Sequence, residues 1–200
     1  MTDYARWKDD PEGFWLEQAQ QLAWSRPPTT ALQQRDDGWT WFPDGELNTC
    51  YLALDHHVEN GRADQAALIY DSRVTGQKRT WTFRELRDDV ARLAGALQAL
   101  GVQKGDRVII YLPMVPQAAM AMLACARLGA VHSVVFGGFA PPELAARIDD
   151  ATPKVLLTAS CGIEGSKVLP YMPLVRASLE HASHAPEHVV VLERDQVPVS

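Results

Sequence analysis

The sequence is short of cysteine, has no excess of basic residues and contains no apolar stretch of membrane length. Its three cysteines, Cys50, Cys125 and Cys161, lie far apart. That spacing excludes both a dense disulfide framework and the close pairs of a zinc knuckle. With 19 Lys and Arg against 25 Asp and Glu, the net charge is -6. The basic residues are dispersed among the acidic ones, so the stripe of a nucleic-acid binder is missing, while a local anion site stays open. The longest apolar run, 118–126, falls far below the roughly 20 residues of a membrane-spanning helix. The opening MTDYARWKDDPEGFW carries no apolar leader. Together these absences predict a cytoplasmic chain with neither nucleic acid nor membrane as a partner.

Hydrophobic residues make up 46% and charged residues 22% of the 200 positions, a balance that supports a packed core rather than a disordered chain. This length admits one domain with a substantial core, or one and a half. Five of the six tryptophans crowd the start, at positions 7, 15, 24, 39 and 41. Asp10-Pro11-Glu12 opens a predicted helix, with Phe14, Trp15, Leu16, Ala19 and Leu22-Ala23 available as a packing face. Pro27-Pro28 is expected to end it, and the chain beyond, through Gly45, reads as loop. Large rings stabilise by burial. The segment is therefore either an arm lying across a larger body or a small local aromatic cluster.

From about Asp55 the texture changes. Residues 67–70 and 80–83 flank a glycine turn and read as a hairpin. Thr82 and Glu85 have capping-box spacing, with Trp81 and Leu86 placed as a hydrophobic staple, so a helix begins here. Leu86, Val90, Leu93, Ala94, Leu97 and Leu100 recur on one helical face, and Gly101 can stop the helix with a positive φ. Strands are then predicted at 106–111, 130–135, 155–158 and 188–192. Helices are predicted between them, reaching Leu128-Gly129 and covering 142–150 and 174–182. The strands are apolar runs rather than alternating ones, as a parallel sheet covered by helices on both faces requires. The predicted fold class is α/β: an incomplete doubly wound, mainly parallel sheet with flanking helices, preceded by the aromatic-rich amino-terminal arm. It reads as incomplete because the loop-like 193–200 follows the last strand with no closing helix.

Few motifs announce chemistry. Phe136-Gly137-Gly138-Phe139 sits between a predicted strand and a helix, where free backbone amides and the helix dipole can hold an anion. The following residues do not complete a G-x-G-x-x-G fingerprint. Two readings stay open, a phosphate cradle or a tight turn with close backbone packing. Gly162-Ile-Glu-Gly-Ser-Lys167 resembles a phosphate loop but lacks its four-residue spacing, so a solvated loop or an anion contact at Lys167 are the alternatives. Asp55-His56-His57 has no second cluster with metal-ligand spacing. Cys161 lacks a histidine partner, and Ser133, Ser160 and Ser166 lack a nucleophile-elbow setting. No catalytic residue and no metal ligand is assigned.

Longer stretches carry more. WFPDGELNTCYLALDHHVENGRADQAALIYDS, RTWTFRELRDDVARLAGALQALGVQKGDRV, IYLPMVPQAAMAMLACARLGAVHSVVFGGFAPPELAARIDDATPK and ASCGIEGSKVLPY together resemble the amino-terminal part of the short-chain acyl-CoA synthetases. These are AMP-forming members of the adenylate-forming superfamily. LNTCY, IYDS and ASCGIE resemble the propionyl-CoA synthetases most, with the acetyl-CoA synthetases as near relatives. The resemblance runs over nearly the whole chain and is specific as a block, though each piece alone would be weak. It implies residues 1–54 as the family's amino-terminal arm and 55–200 as the first part of the AMP-binding large domain, incomplete.

The resemblance also implies a reaction, in which ATP, a short-chain carboxylate and CoA give acyl-CoA, AMP and pyrophosphate with magnesium assisting. The family's serine-, threonine- and glycine-rich phosphate loop, Tyr-Thr-Glu motif, ribose-holding aspartate and late catalytic lysine do not occur in these 200 residues. The expectation is an inactive segment that needs the remainder of the large domain and a carboxy-terminal domain as partners. A CoA- or protein-binding module without catalysis is the alternative from another class. By the same resemblance Phe136, Gly137 and Gly138 match a stretch that lines the CoA region. Acetyl-CoA synthetases place two arginines near the CoA 3′-phosphate, and the matching positions here are Glu164 and Lys167, with Leu169 on the apolar side. Lys167 can keep one charge contact, whereas Glu164 would repel a phosphate.

Overall fold

The computed structural model describes residues 3–198. The arm holds two short helices, α1 (Asp3–Asp9) and α2 (Pro11–Ala19), and a hairpin of β1 (Leu32–Arg35) and β2 (Gly38–Trp41). Asp10 caps α2 by accepting from the Gly13 amide at 3.0 Å, and Pro11 stands in the first turn, where its missing N–H costs nothing. The helix ends at Ala19, well before Pro27. The Trp24 indole N–H donates to the Ala19 carbonyl at 2.7 Å, so the chain has already folded back on the last turn. The hairpin replaces the expected loop. Its strands are almost wholly exposed, and although Trp39 and Trp41 alternate with Gly38 and Thr40 in β2, the Gln33-Gln34-Arg35 of β1 shows no matching apolar pattern. The rings of the aromatic segment form a local cluster, in which Trp15 meets Trp41 and Trp24 meets Phe42, each at 5.5 Å between centroids, and Trp24, Trp41 and Phe42 also stand beside Lys104 of the larger body.

Two π-helical turns, Tyr51–Asp55 and Val58–Arg62, lead into the antiparallel hairpin β3 (Ala66–Asp71) and β4 (Lys78–Thr82). The helix α3 (Phe83–Ala99) follows at once. Its capping box is complete: the Glu85 amide donates to Thr82 Oγ1 at 3.2 Å, and the Thr82 amide donates to Glu85 Oε2 at 2.8 Å. Gly101 lies beyond its end with φ +85°, as the stop signal requires.

The body then winds through β5 (Arg107–Tyr111), α4 (Pro116–Leu128), β6 (Val131–Val134), α5 (Pro141–Ala151) and β7 (Val155–Ala159). A hairpin of β8 (Cys161–Glu164) and β9 (Lys167–Pro170), the helix α6 (Tyr171–His181) and β10 (His188–Leu192) complete it. The sheet order is β10-β7-β5-β6, parallel throughout. Strand succession reverses across β5, and the helices divide accordingly. Leu86, Val90 and Leu97 of α3 and Met120 and Ala124 of α4 pack with Val108 and Ile110 on one face. Leu144 and Ile148 of α5 and Val175 of α6 pack with Ile109, Tyr111 and Leu156 on the other. Both faces of β5 are thus buried, which is why its sequence does not alternate. The predicted incomplete doubly wound α/β fold is the one observed. The loop expected after β10 runs to Val199 and Ser200, which lie outside the described residues. Within them it closes on an Arg194–Val197 bridge.

Candidate functional site

The carboxyl ends of β5, β6 and β7 meet around the glycine pair. In doubly wound sheets the crevice outside these strand ends is where ligands bind. The Tyr111 hydroxyl, at the end of β5, accepts from the Gly138 amide at 3.2 Å and donates to the Phe139 carbonyl at 3.1 Å. Beside it lies the Tyr171 ring, 5.0 Å away between centroids. A methyl added at Gly137 would meet Tyr171 Oη at 2.5 Å and the Leu112 carbonyl oxygen at 3.0 Å. One added at Gly162 would meet the same Oη at 2.5 Å. The phenol of Tyr171 is therefore wedged between two glycine backbones, and both positions exclude a side chain.

Gly138 differs. Its φ is +95°, a conformation that favours glycine. A methyl there would lie 3.1 Å from Glu164 Oε1 and 3.6 Å from Leu169 Cδ2. The β8–β9 hairpin thus folds over the glycine pair and brings Gly138, Glu164 and Leu169 together. Lys167 faces Glu164 across the hairpin turn, in register, and is exposed. Phe136 is 68% exposed and touches Phe139 with its ring, 5.6 Å between centroids. These two stand on the rim rather than in the contact. GIEGSK is hairpin, not loop, with Gly165 at its turn.

The turn also bears on the two readings of the glycine pair. The Gly138 amide is spent on Tyr111, and the Phe139 amide on the Phe136 carbonyl at 3.3 Å. In the first turn of α5, Pro141 and Pro142 have no N–H, and the Glu143 and Leu144 amides donate to the Ala140 carbonyl at 3.0 and 3.3 Å. A phosphate cradle needs several free amides converging on one point. Here the amides of Gly138, Phe139, Glu143 and Leu144 are engaged within the turn, which favours close backbone packing.

Burial pushes the Tyr171 hydroxyl up to about 12, helped by the neighbouring Tyr111 and Glu164 and opposed by Arg194. Burial raises Tyr111 as well, while the Gly138 amide pulls it back. Both phenols are neutral at pH 7, so the nearest negative charge over the glycine pair is Glu164. Sequence reasoning missed these tyrosines. The available signal was a tyrosine ending an otherwise apolar strand and a second one following Pro170, each with a polar tip that must find a partner once buried.

The other sequence candidates are occupied elsewhere. Asp55 pairs with Arg127, His56 takes the Asn60 amide at 3.2 Å, and His57 packs its ring 4.6 Å from that of Phe83. Among the described residues no three His, Cys, Asp or Glu side chains gather as a metal site. Cys161 is buried beside Gly162. No described helix is long and apolar enough to cross a membrane.

A parallel sheet with helices on both faces and a glycine-bearing turn at its strand ends defines a doubly wound α/β domain, and the sequence comparison gives its family. The chain belongs to the AMP-binding enzymes, whose family model matches residues 54–200, and the model of the acetyl-coenzyme A synthetase N-terminus matches residues 1–53. It is 63% identical to an uncharacterized protein of Pseudomonas aeruginosa, over 99% of this chain and 32% of that protein. It is 49% identical to the mitochondrial acyl-CoA synthetase short-chain family member 3 of Bos taurus, over 100% of this chain and 30% of that one. With the propionate–CoA ligase of Escherichia coli K12 it shares 44% identity over 96% of this chain and 30% of the ligase. The acetoacetyl-CoA synthetase structure from Streptomyces lividans superposes with a TM-score of 0.79 at 30% identity, over 98% of this chain and 32% of that one. The chain thus spans about a third of the length of the relatives it matches.

Proposed function

We propose that the chain supplies one wall of the CoA cleft of an AMP-forming short-chain acyl-CoA ligase, with propionate as the acid and acetate as its competitor. The observation that carries this reading is the convergence of Gly138, Glu164 and Leu169 at the carboxyl ends of the parallel strands. The family match and the likeness to a ligase named for propionate support it. Residues 1–54 then form the arm and 55–200 the first part of the large domain of a cytoplasmic enzyme.

In the reaction a carboxylate oxygen attacks the α-phosphorus of ATP and pyrophosphate leaves; the CoA thiol then attacks the acyl carbon and AMP leaves. ATP and magnesium would be handled by groups beyond these 200 residues. Phe136, Gly137 and Gly138 would border the passage of the pantetheine arm. Leu169 would give it an apolar contact, and Lys167 would offer charge to the nucleotide end. Glu164 works against a phosphate at that end, so the 3′-phosphate of CoA gains little here.

Two measurements test this. Incubated with ATP, magnesium, propionate and CoA, the 200-residue chain should release no AMP, and turnover by the chain alone would overturn the division of labour. In calorimetric titration, CoA and dephospho-CoA should bind with similar affinity. Glu164→Arg should then favour CoA about three- to fivefold, the size of one exposed ion pair. Insensitivity of that ratio to Glu164→Arg would place the nucleotide end elsewhere. A discrete complex with another protein, without CoA binding, would favour the interaction-module reading.

A further inference from the structure

A cavity of about 810 Å³ lies where the arm meets the body and shares no residue with the glycine site. Cavities of this size at the junction of two structural units are common places for small molecules. Its lining mixes rings with polar groups: Trp24, Trp41, Phe42 and Tyr51 stand beside Ser25, Glu46 and Asn48, together with Lys104 from the α3–β5 connection.

Three features make this more than a gap between elements. Phe42 holds a φ of +48°, which is strained for a bulky side chain, and such strain gathers at binding sites. The surroundings enforce it. The Phe42 amide donates to the Ala31 carbonyl at 2.7 Å, the Gly45 amide donates to the Phe42 carbonyl at 3.0 Å, and the Phe42 ring meets those of Trp24 and Trp41 at 5.5 and 5.8 Å. Next, the Trp24 ring packs directly against Gly45, where a methyl would meet its Cζ3 at 2.7 Å. The chain gives up a side chain there to seat the indole. The third feature is charge. Glu46, which also lines the cavity, pairs with the exposed Arg26 at 2.9 Å, whereas Lys104 has no ion-pair partner among the described residues. The Lys104 stem passes over Gly129, with Cγ 3.0 Å from where a methyl would stand. The lining therefore combines aromatic rings with a lysine that has no ion-pair partner among the described residues.

We infer that this cavity binds a small aromatic carboxylate, its ring against Trp41 and Trp24 and its carboxylate toward Lys104. Rings recognise rings by offset or edge contacts, and a lone ammonium selects an anion over its neutral analogue. The site is independent of the CoA cleft. Propionate and acetate have no ring and fall outside its selectivity.

Indole-3-acetate, indole-3-acetamide and acetate serve as probes, titrated calorimetrically into the 200-residue chain. Indole-3-acetate should bind about fivefold tighter than its uncharged amide, the upper range of one exposed charge contact, and acetate should give no saturable heat. Lys104→Met should erase the preference for the acid while leaving the amide unchanged, and Lys104→Arg should keep it. Trp41→Leu should weaken acid and amide alike, by about fivefold or more. Lys104 is exposed, so an unaltered far-UV circular dichroism spectrum is expected for its variants and separates lost recognition from lost folding. Equal binding of acid and amide to the unaltered chain, a preference that survives Lys104→Met, or no saturable binding of indole-3-acetate would each overturn the assignment.

Discussion

The residue on which the candidate site turns is Tyr171, a side chain only 2% exposed and held between the backbones of Gly137 and Gly162. A methyl at Gly162 would lie 2.5 to 2.7 Å from three atoms of that ring, and a buried ring cannot swing clear. Gly162→Ala should therefore cost about 2–3 kcal/mol by overpacking. Part of the loss should return in the double variant with Tyr171→Leu. A double-mutant cycle by urea denaturation measures this coupling, and strict additivity would mean that the wedge does not exist. The same phenol leaves a signature at high pH. Its folded value stands near 12 against an ordinary 10. Between those two values the unfolded chain has lost the proton and the folded chain has kept it, so stability falls as pH rises. The contribution is fully present below pH 10 and lost through pH 12, amounting to about 1–2 kcal/mol. Tyr171→Phe should flatten that part of the profile, read from urea midpoints at pH 9 and 11.5. An unchanged slope would show that the hydroxyl is solvated in the folded state.

Among the elements, those that organise themselves from local pattern were legible in the sequence. The helix α3 announces itself by an apolar face and a Thr82–Glu85 box, and the four parallel strands by apolar runs between helices. The β1–β2 and β8–β9 hairpins were not legible. The first has a polar strand in β1, Gln33-Gln34-Arg35, against the alternating Trp39 and Trp41 of β2, and the second owes its place to contacts with Tyr171 and Gly138 that no short window contains. The same holds for the site, where the glycine pair is visible in sequence but Tyr111 and Tyr171, sixty residues apart, meet only in the fold. The π-helical turn Tyr51–Asp55 was missed too, and it is held from outside. Asn48 Nδ2 donates to the Ala126 and Arg127 carbonyls at 3.3 and 3.0 Å, joining the turn to the end of α4. Asp55 pairs with Arg127 above the buried Cys50, whose thiol burial pushes up. Asp55→Asn leaves a half-buried guanidinium without its charge partner and should cost about 1–3 kcal/mol. Asp64→Asn, which removes an exposed partner of Arg84, should cost less than about 0.5 kcal/mol. Equal losses in thermal denaturation would mean that the Arg127 pair does not tie the turn to the body.

At the scale of the whole molecule the sheet has an unfinished side. The strand β6 ends the order β10-β7-β5-β6, with Val131 54% and Val134 55% exposed and Phe136 beyond them at 68%. A bare edge offers a row of unpaired amides and carbonyls, and apolar side chains beside it add a reason for another strand to dock. Natural edges are blunted by lysine, proline or a covering loop, and none of β6's four residues, Val-His-Ser-Val, is a lysine or a proline. The 200-residue chain should therefore self-associate as its concentration rises, and sedimentation velocity would show the shift. Val134→Lys should hold it monomeric over the same range, with a change in folding stability below about 0.5 kcal/mol, because an exposed position loses little by the substitution. A wild-type chain that stays monomeric when concentrated would show that the edge is already protected. Association that survives Val134→Lys would move the sticky surface to the aromatic arm, where Trp39 and Trp41 stand exposed. The two surfaces can be told apart because adding charge to one leaves the other untouched.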